Sequence, residues 1–158
     1  MTELPAAAKR VEGAARALGL AIEIRTMPAS TRTAAEAAAA VGASVGQIVK
    51  SLVFRGEVTG KAHLLLVSGT NRVHEPAMPA VLGEAITRPD ADFVRATTGF
   101  AIGGVPPFGH AAPLLTFMDE DLLRYETIWA AAGTPYAVFA VGPERLRDAL
   151  QARVIKVT

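Results

Sequence analysis

The stretch IVKSLVFR, residues 48–55, sets Lys50 among apolar neighbours. Read as a strand, it places Ile48, Lys50, Leu52 and Phe54 on one face and Val49, Ser51 and Val53 on the other. An ammonium in such company needs a partner or a route to solvent, because burying it alone is costly. Spacing leaves two readings open. Lys50 is either an edge-strand lysine that discourages aggregation, or a group aimed into a pocket to hold an anionic or carbonyl oxygen.

A second stretch, GFAIGGVPPFGH (99–110), packs four glycines and two prolines into twelve residues and ends on His110. Glycine allows positive φ and close approach of another molecule, while Pro106 and Pro107 fix φ and remove two amide donors. The amides of Gly103, Gly104 and Val105 are thereby expected to converge as an anion nest or oxyanion hole. A tight helix-to-strand connection is the plainer reading, although it needs fewer glycines. GxGxxG is absent, so a dinucleotide site has no support. In VSGTNRV (67–73), Ser68, Asn71 and Arg72 stand at a strand end, where binding groups often gather. The acidic run from Asp119 reads as a solvated turn.

Other chemistries are excluded by what is missing. The chain has no cysteine, so disulfides, thiol nucleophiles and thiolate metal sites are ruled out. No GxSxG elbow is present. His63, His74 and His110 lack metal-ligand spacing, so no metal or other cofactor is expected. Sixteen basic residues against fifteen acidic give a net charge of +1, too little for strong sequence-independent binding to nucleic acid such as DNA. A local pocket gripping one nucleic-acid end remains compatible with that balance.

Several elements must position these groups. The 158 residues, 51% hydrophobic, are expected to form one domain over 1–158. Helical spacing of apolar residues marks about 3–19. Thr33-Ala-Ala-Glu36 is a capping box opening an alanine-rich helix that ends at Gly42, and Ser44-Val-Gly-Gln47 repeats the pattern. Strands are expected at 21–26, 48–55 and 61–69, the last two joined as a hairpin through GEVTG. Short helices follow in EPAMPAVLG, in DADFVRATTG after Asp90 and in GPERLRDALQ. Further strands are read in EAITR, 112–119, 127–133, 136–142 and the closing ARVIKVT. The order lacks regular β-α-β spacing. The expected class is therefore α/β (α+β), a curved mixed and largely antiparallel sheet, barrel-like, with helices packed outside. The amino-terminal stretch lacks a signal-peptide core, and no span reaches the ~20 apolar residues of a membrane helix, so the expected setting is the cytoplasm, away from membranes.

Taken together, TRTAAEAAAAVGASVGQIVKSLVFR, LLLVSGTNRV, TGFAIGGVPPFGH and IWAAAGTPYAVFAVGPERL resemble the YbaK/ProX-type aminoacyl-tRNA deacylases, relatives of the editing domain of bacterial prolyl-tRNA synthetase. The likeness runs from about residue 20 to the C-terminus. It implies a pocket for the aminoacylated 3′ end of tRNA and hydrolysis of the ester to a wrong amino acid, commonly on tRNA(Pro). It implies Lys50 as the catalytic lysine, with Gly103, Gly104, Val105 and Pro106 as the substrate loop. His110, Thr31, Ser68, Asn71 and Arg72 join them as substrate contacts, and prolyl-tRNA synthetase is an implied partner. The chain carries neither a tyrosine near Met27 nor an aspartate in YAVFAV, so alanine or another small amino acid stands beside cysteine as the edited residue. A non-catalytic module that binds tRNA or a synthetase is the alternative.

Overall fold

The computed structural model describes residues 3–158. Helix α1 (Ala6–Ala17) begins after Pro5, later than expected, because that residue keeps an extended ψ of 155°. Its buried face is Ala8, Val11 and Ala15, one side of a 3.6-residue period. Helix α2 (Ala34–Val41) opens on the Thr33 box. The Thr33 hydroxyl accepts from the Glu36 N–H at 3.1 Å, and the Glu36 carboxylate accepts from the Thr33 N–H at 3.1 Å. Gly42 closes it.

Among the described residues, eight strands form two sheets. One holds β1 (Ile24–Thr26), β7 (Ala137–Val141) and β6 (Ile128–Ala131), in the order β1-β7-β6 and antiparallel throughout. The other runs β4 (Ile86–Thr87), β2 (Val49–Gly56), β3 (Ala62–Ser68), β5 (Leu115–Asp119) and β8 (Arg153–Ile155). Here β4, β2 and β3 pair antiparallel, whereas β3–β5 and β5–β8 are parallel. The arrangement is the expected mixed, largely antiparallel one. Among the described residues its ladders do not join into a closed cylinder, and the sheets meet at one parallel bridge, Ile48 to Trp129.

Strand β3 is buried along its whole length, as its near-continuous apolar sequence requires. Leu64 and Leu66 point into a core shared with α1 and with Ile128, Phe139 and Val141 of the smaller sheet. Leu65 and Val67 point the other way, against Met78 of α3 (Met78–Leu82) and Ile155 of β8. Helix α4 (Ala91–Thr98) is capped by Asp90, which accepts from the Phe93 N–H at 2.8 Å. Helix α5 (Pro143–Leu150) starts on a proline, as expected, and buries Leu146.

The β2–β3 hairpin is clamped from outside by one carboxylate. Glu84 accepts from the N–H groups of Val58 and Thr59, both at 2.9 Å, and from the Thr59 hydroxyl at 2.7 Å. Its other neighbour is His63 Nε2 at 3.0 Å. These donors, led by Thr59, hold the Glu84 carboxyl at about 2, below its ordinary 4.5. A carboxylate with a depressed folded pKa stabilises the fold above 4.5, and that contribution is lost as pH falls toward about 2. The melting temperature is therefore expected to drop between those pH values, and less steeply in Glu84→Gln. Equal slopes for the two proteins in acid melting curves would refute the clamp.

Candidate active site

Strand β2 is tied to the smaller sheet at its start. Gln47 donates from Nε2 to the Thr127 carbonyl at 3.0 Å, next to the Ile48–Trp129 bridge. From that junction the two sheets diverge, and the gap between them is a cavity of about 550 Å³. That volume lies within the range of roughly 300–1,000 Å³ usual for small-molecule sites. Small residues keep it open: Ala34 and Ala37 of α2 and Ala130 and Ala131 of β6 all line it. Seven consecutive residues, Ile48 to Phe54, also line it. Successive side chains of a strand alternate faces, so an unbroken run means that the cavity meets the strand edge-on.

Lys50 is on this wall, half-buried, and its Nζ donates to the Asn71 carbonyl. Burial lowers its pKa below the ordinary 10.5, the Arg72 charge lowers it further, and Asp119 opposes both. The Asn71 carbonyl is itself held in place. Asn71 Nδ2 donates to Asp119 Oδ2 and to Asp121 Oδ2, each at 2.8 Å. Asp119 also accepts from the Ser68 N–H at 3.0 Å and the Asp121 N–H at 2.9 Å. Asp119 is only 1% exposed, which corrects the expectation of a solvated acidic turn there. Three donors give that carboxylate what water would otherwise supply.

The glycine-rich loop reaches the same cavity through Ile102, Gly103 and Val105. Gly103 has a φ of +96° and lies under the Arg32 side chain. The N–H groups of Gly103 and Val105 have no acceptor among the described residues. Gly104 differs from the expectation of three converging amides. Its N–H donates to the Ala101 carbonyl at 3.1 Å and its carbonyl accepts from the Gly133 N–H at 2.9 Å, so it pins the loop instead.

The other expected contacts are distributed as follows. Thr31 lines the cavity, but its hydroxyl donates to the Pro135 carbonyl at 3.0 Å. Ser68 is 1% exposed and donates from Oγ to the Gly46 carbonyl at 2.7 Å, off the wall. Asn71 and exposed Arg72 stand behind Lys50, outside the lining. Pro106 is buried off the wall, and its carbonyl lies 2.7 Å from His110 Nε2. A carbonyl only accepts, so Nε2 carries the proton there. Burial lowers the His110 pKa, with the bond to Pro106 opposing. His110 lines a separate groove beside Leu18 and Phe108, so the structure does not bring it to the cavity. Sequence reasoning missed Arg32 and Arg88, two exposed cations on the cavity rim, because isolated surface arginines carry no pattern.

A cavity walled by one amine, two guanidinium groups and free loop N–H groups suits a ligand bearing phosphate and a polarisable carbonyl. Residues 28–149 match the family model of the aminoacyl-tRNA editing domain. The chain belongs to the aminoacyl-tRNA editing domain family. An editing domain hydrolyses the ester that joins a wrong amino acid to tRNA, so the protein is a deacylase with tRNA as its substrate. The editing domain is 49% identical to a candidate trans-editing enzyme for prolyl tRNA synthetase, covering 99% of each chain with a TM-score of 0.93. It is 30% identical to the hypothetical protein APE2540, with a TM-score of 0.87 over 94% of this chain and 98% of the other. Among curated proteins it is 29% identical to the uncharacterized protein YwhH of Bacillus subtilis (strain 168) over 126 residues, 80% of each chain.

Proposed function

We propose that residues 1–158 act as one free-standing, cytoplasmic editing domain that clears tRNA(Pro) of small wrong amino acids, working beside prolyl-tRNA synthetase. The observation that carries the reading is the meeting of Lys50 and the glycine-rich loop on one cavity of about 550 Å³. The likeness to the candidate trans-editing enzyme supports the choice of tRNA.

In this reading the terminal adenosine and its aminoacyl group enter the cavity, with Arg32 and Arg88 taking backbone phosphates at the rim. Water attacks the ester carbon, the acyl C–O bond to the ribose breaks, and the proton goes to the leaving ribose oxygen. An aminoacyl ester is already activated, so positioning and charge stabilisation suffice without a protein nucleophile. Lys50 and the Gly103 and Val105 N–H groups supply positive charge where the carbonyl oxygen becomes negative. Lys50, whose side chain lines the cavity, is the proposed catalytic residue. Selectivity by size complements a synthetase, whose own pocket gains only ~1–3 kcal/mol from one methylene.

The test is a deacylation screen of tRNA(Pro) charged with alanine, cysteine, serine, 2-aminobutyrate and proline. Free alanine or another small amino acid is expected to appear well above the buffer rate while prolyl-tRNA(Pro) persists. Equal release of proline, or no release from any substrate, would overturn the proposal.

A further inference from the structure

The edge of β2 carries hydrogen-bonding groups that the fold does not use. Two bonds fix which residues point where. The Gly56 N–H donates to the Lys61 carbonyl at 2.9 Å, on the β3 side, and the Glu57 N–H donates to the Ala85 carbonyl at 2.9 Å, on the β4 side. In an antiparallel ladder the direction alternates with each residue. Lys50, Leu52 and Phe54 therefore spend their backbone groups on β3, in register with Val67, Leu65 and His63. Val49, Ser51, Val53 and Arg55 face the opposite edge.

Arg55 meets Thr87 of β4, and the strand start is occupied by the Ile48–Trp129 bridge. Between those two ends, the N–H and C=O groups of Ser51 and Val53 have no partner among the described residues. The Ser51 hydroxyl is likewise buried without a partner. Both residues line the cavity. Ser51 and Val53 are half-buried, and an unpaired strand edge at a ligand-sized opening is free to pair with a ligand as it would with another strand.

An α-amino acyl group matches this edge. It carries a donor, the α-ammonium, and an acceptor, the acyl carbonyl, on either side of one Cα. That is the pattern one residue of an adjoining strand presents in a hydrogen-bonded pair. We propose that the Ser51–Val53 edge of β2 reads the aminoacyl group as a strand reads its neighbour, its C=O accepting from the substrate's free α-ammonium and its N–H donating to the acyl oxygen. The inference rests on the deacylase reading and adds a rule to it. The enzyme acts only on tRNA whose amino acid has a free α-amine, and it spares peptidyl-tRNA and other N-acylated forms.

The experiment compares alanyl-tRNA(Pro) with N-acetylalanyl-tRNA(Pro), using the wild-type protein. Acetylation removes the charge and adds bulk at the strand edge. Each rate is divided by that substrate's own buffer rate, so that the lower intrinsic reactivity of an N-acyl ester cancels. Loss of hydrogen bonds to a charged group then lowers the acceleration on the order of 10–100-fold. Rapid hydrolysis of the first with that loss on the second is the expected result. Unchanged hydrolysis of the acetylated substrate would overturn the edge assignment and leave the deacylase reading intact. No hydrolysis of either would instead strike the deacylase reading itself.

A second arm uses Ser51→Pro and Val53→Pro. Each removes an N–H that points away from β3, a position where an edge strand tolerates proline. Both variants are expected to retain the wild-type circular dichroism spectrum, and at least one to lose deacylation. Two folded variants with wild-type rates would contradict the proposal. If either variant fails to fold, the acetylation comparison decides alone.

Discussion

Lys50→Met is expected to deacylate mischarged tRNA ~10²–10³-fold more slowly than wild type, the usual cost of deleting one stabilising donor. Its melting temperature is expected to stay close to that of the wild type. Both halves follow from the same geometry. Lys50 lines the cavity, and burial is the largest influence on its pKa, which it lowers. The charged form is thus disfavoured by folding. That penalty is fully present while pH is below the depressed folded pKa, and it fades as pH rises from there toward 10.5. Methionine removes the penalty at neutral pH and fills a similar volume, while the Asn71 carbonyl loses one donor. After subtraction of the buffer reaction, wild-type turnover should fall on the alkaline side at lower pH than an ordinary lysine would dictate. A Lys50→Met protein that turns over normally, measured by release of labelled amino acid, would remove Lys50 from the chemistry.

The second large effect is expected at Gly104→Ala. A Cβ at this position would lie 2.8 Å from the Gly133 carbonyl carbon and oxygen and from Thr134 Cα. All three are backbone, so no side chain can swing away. The loop must lift, and the Gly104–Gly133 bond lengthens with it. Overpacking of this kind costs about 1–3 kcal/mol. Displacing the neighbouring Gly103 and Val105 N–H groups by about 1 Å costs on the order of 10²-fold in rate. Thermal melting and deacylation measured on one preparation check both numbers. A variant with wild-type values in each would show that this close contact neither fixes the loop nor matters to catalysis.

What the sequence disclosed is what local chemistry decides. Thr33 and Glu36 lie three residues apart on one turn, so their mutual bonds needed no tertiary information. The alternation in IVKSLVFR separated Val49 and Val53, which pack into one core, from Leu52 and Phe54, which pack into the other, because the strand period is two. Parallel pairing of β3 with β5 and of β5 with β8 was not legible, since it depends on crossovers that bring distant segments together.

Within the site, the limits are those of partners remote in sequence. Asp119 looked like one of several charges in a solvated run until its donors, Ser68 and Asn71, arrived from about fifty residues away. Gly104 looked like a donor to substrate, and only the neighbouring Gly133 shows that its groups are already engaged. His110 ends the glycine-rich run, yet it turns its ring to the Pro106 carbonyl and away from the cavity. The free edge at Ser51 and Val53 depends on where β4 stops and β6 begins, which no spacing rule reports.

Lys50, the Gly103 and Val105 amides and the β2 edge are expected to surround one bound aminoacyl-adenosine. An amide-linked, non-hydrolysable alanyl-adenosine titrated into isotope-labelled protein addresses this directly by nuclear magnetic resonance. The largest shifts are expected on the Lys50 side chain and the backbone N–H groups of Ser51, Val53, Gly103 and Val105. Shifts confined to the His110 groove, with those five groups unmoved at saturation, would contradict it.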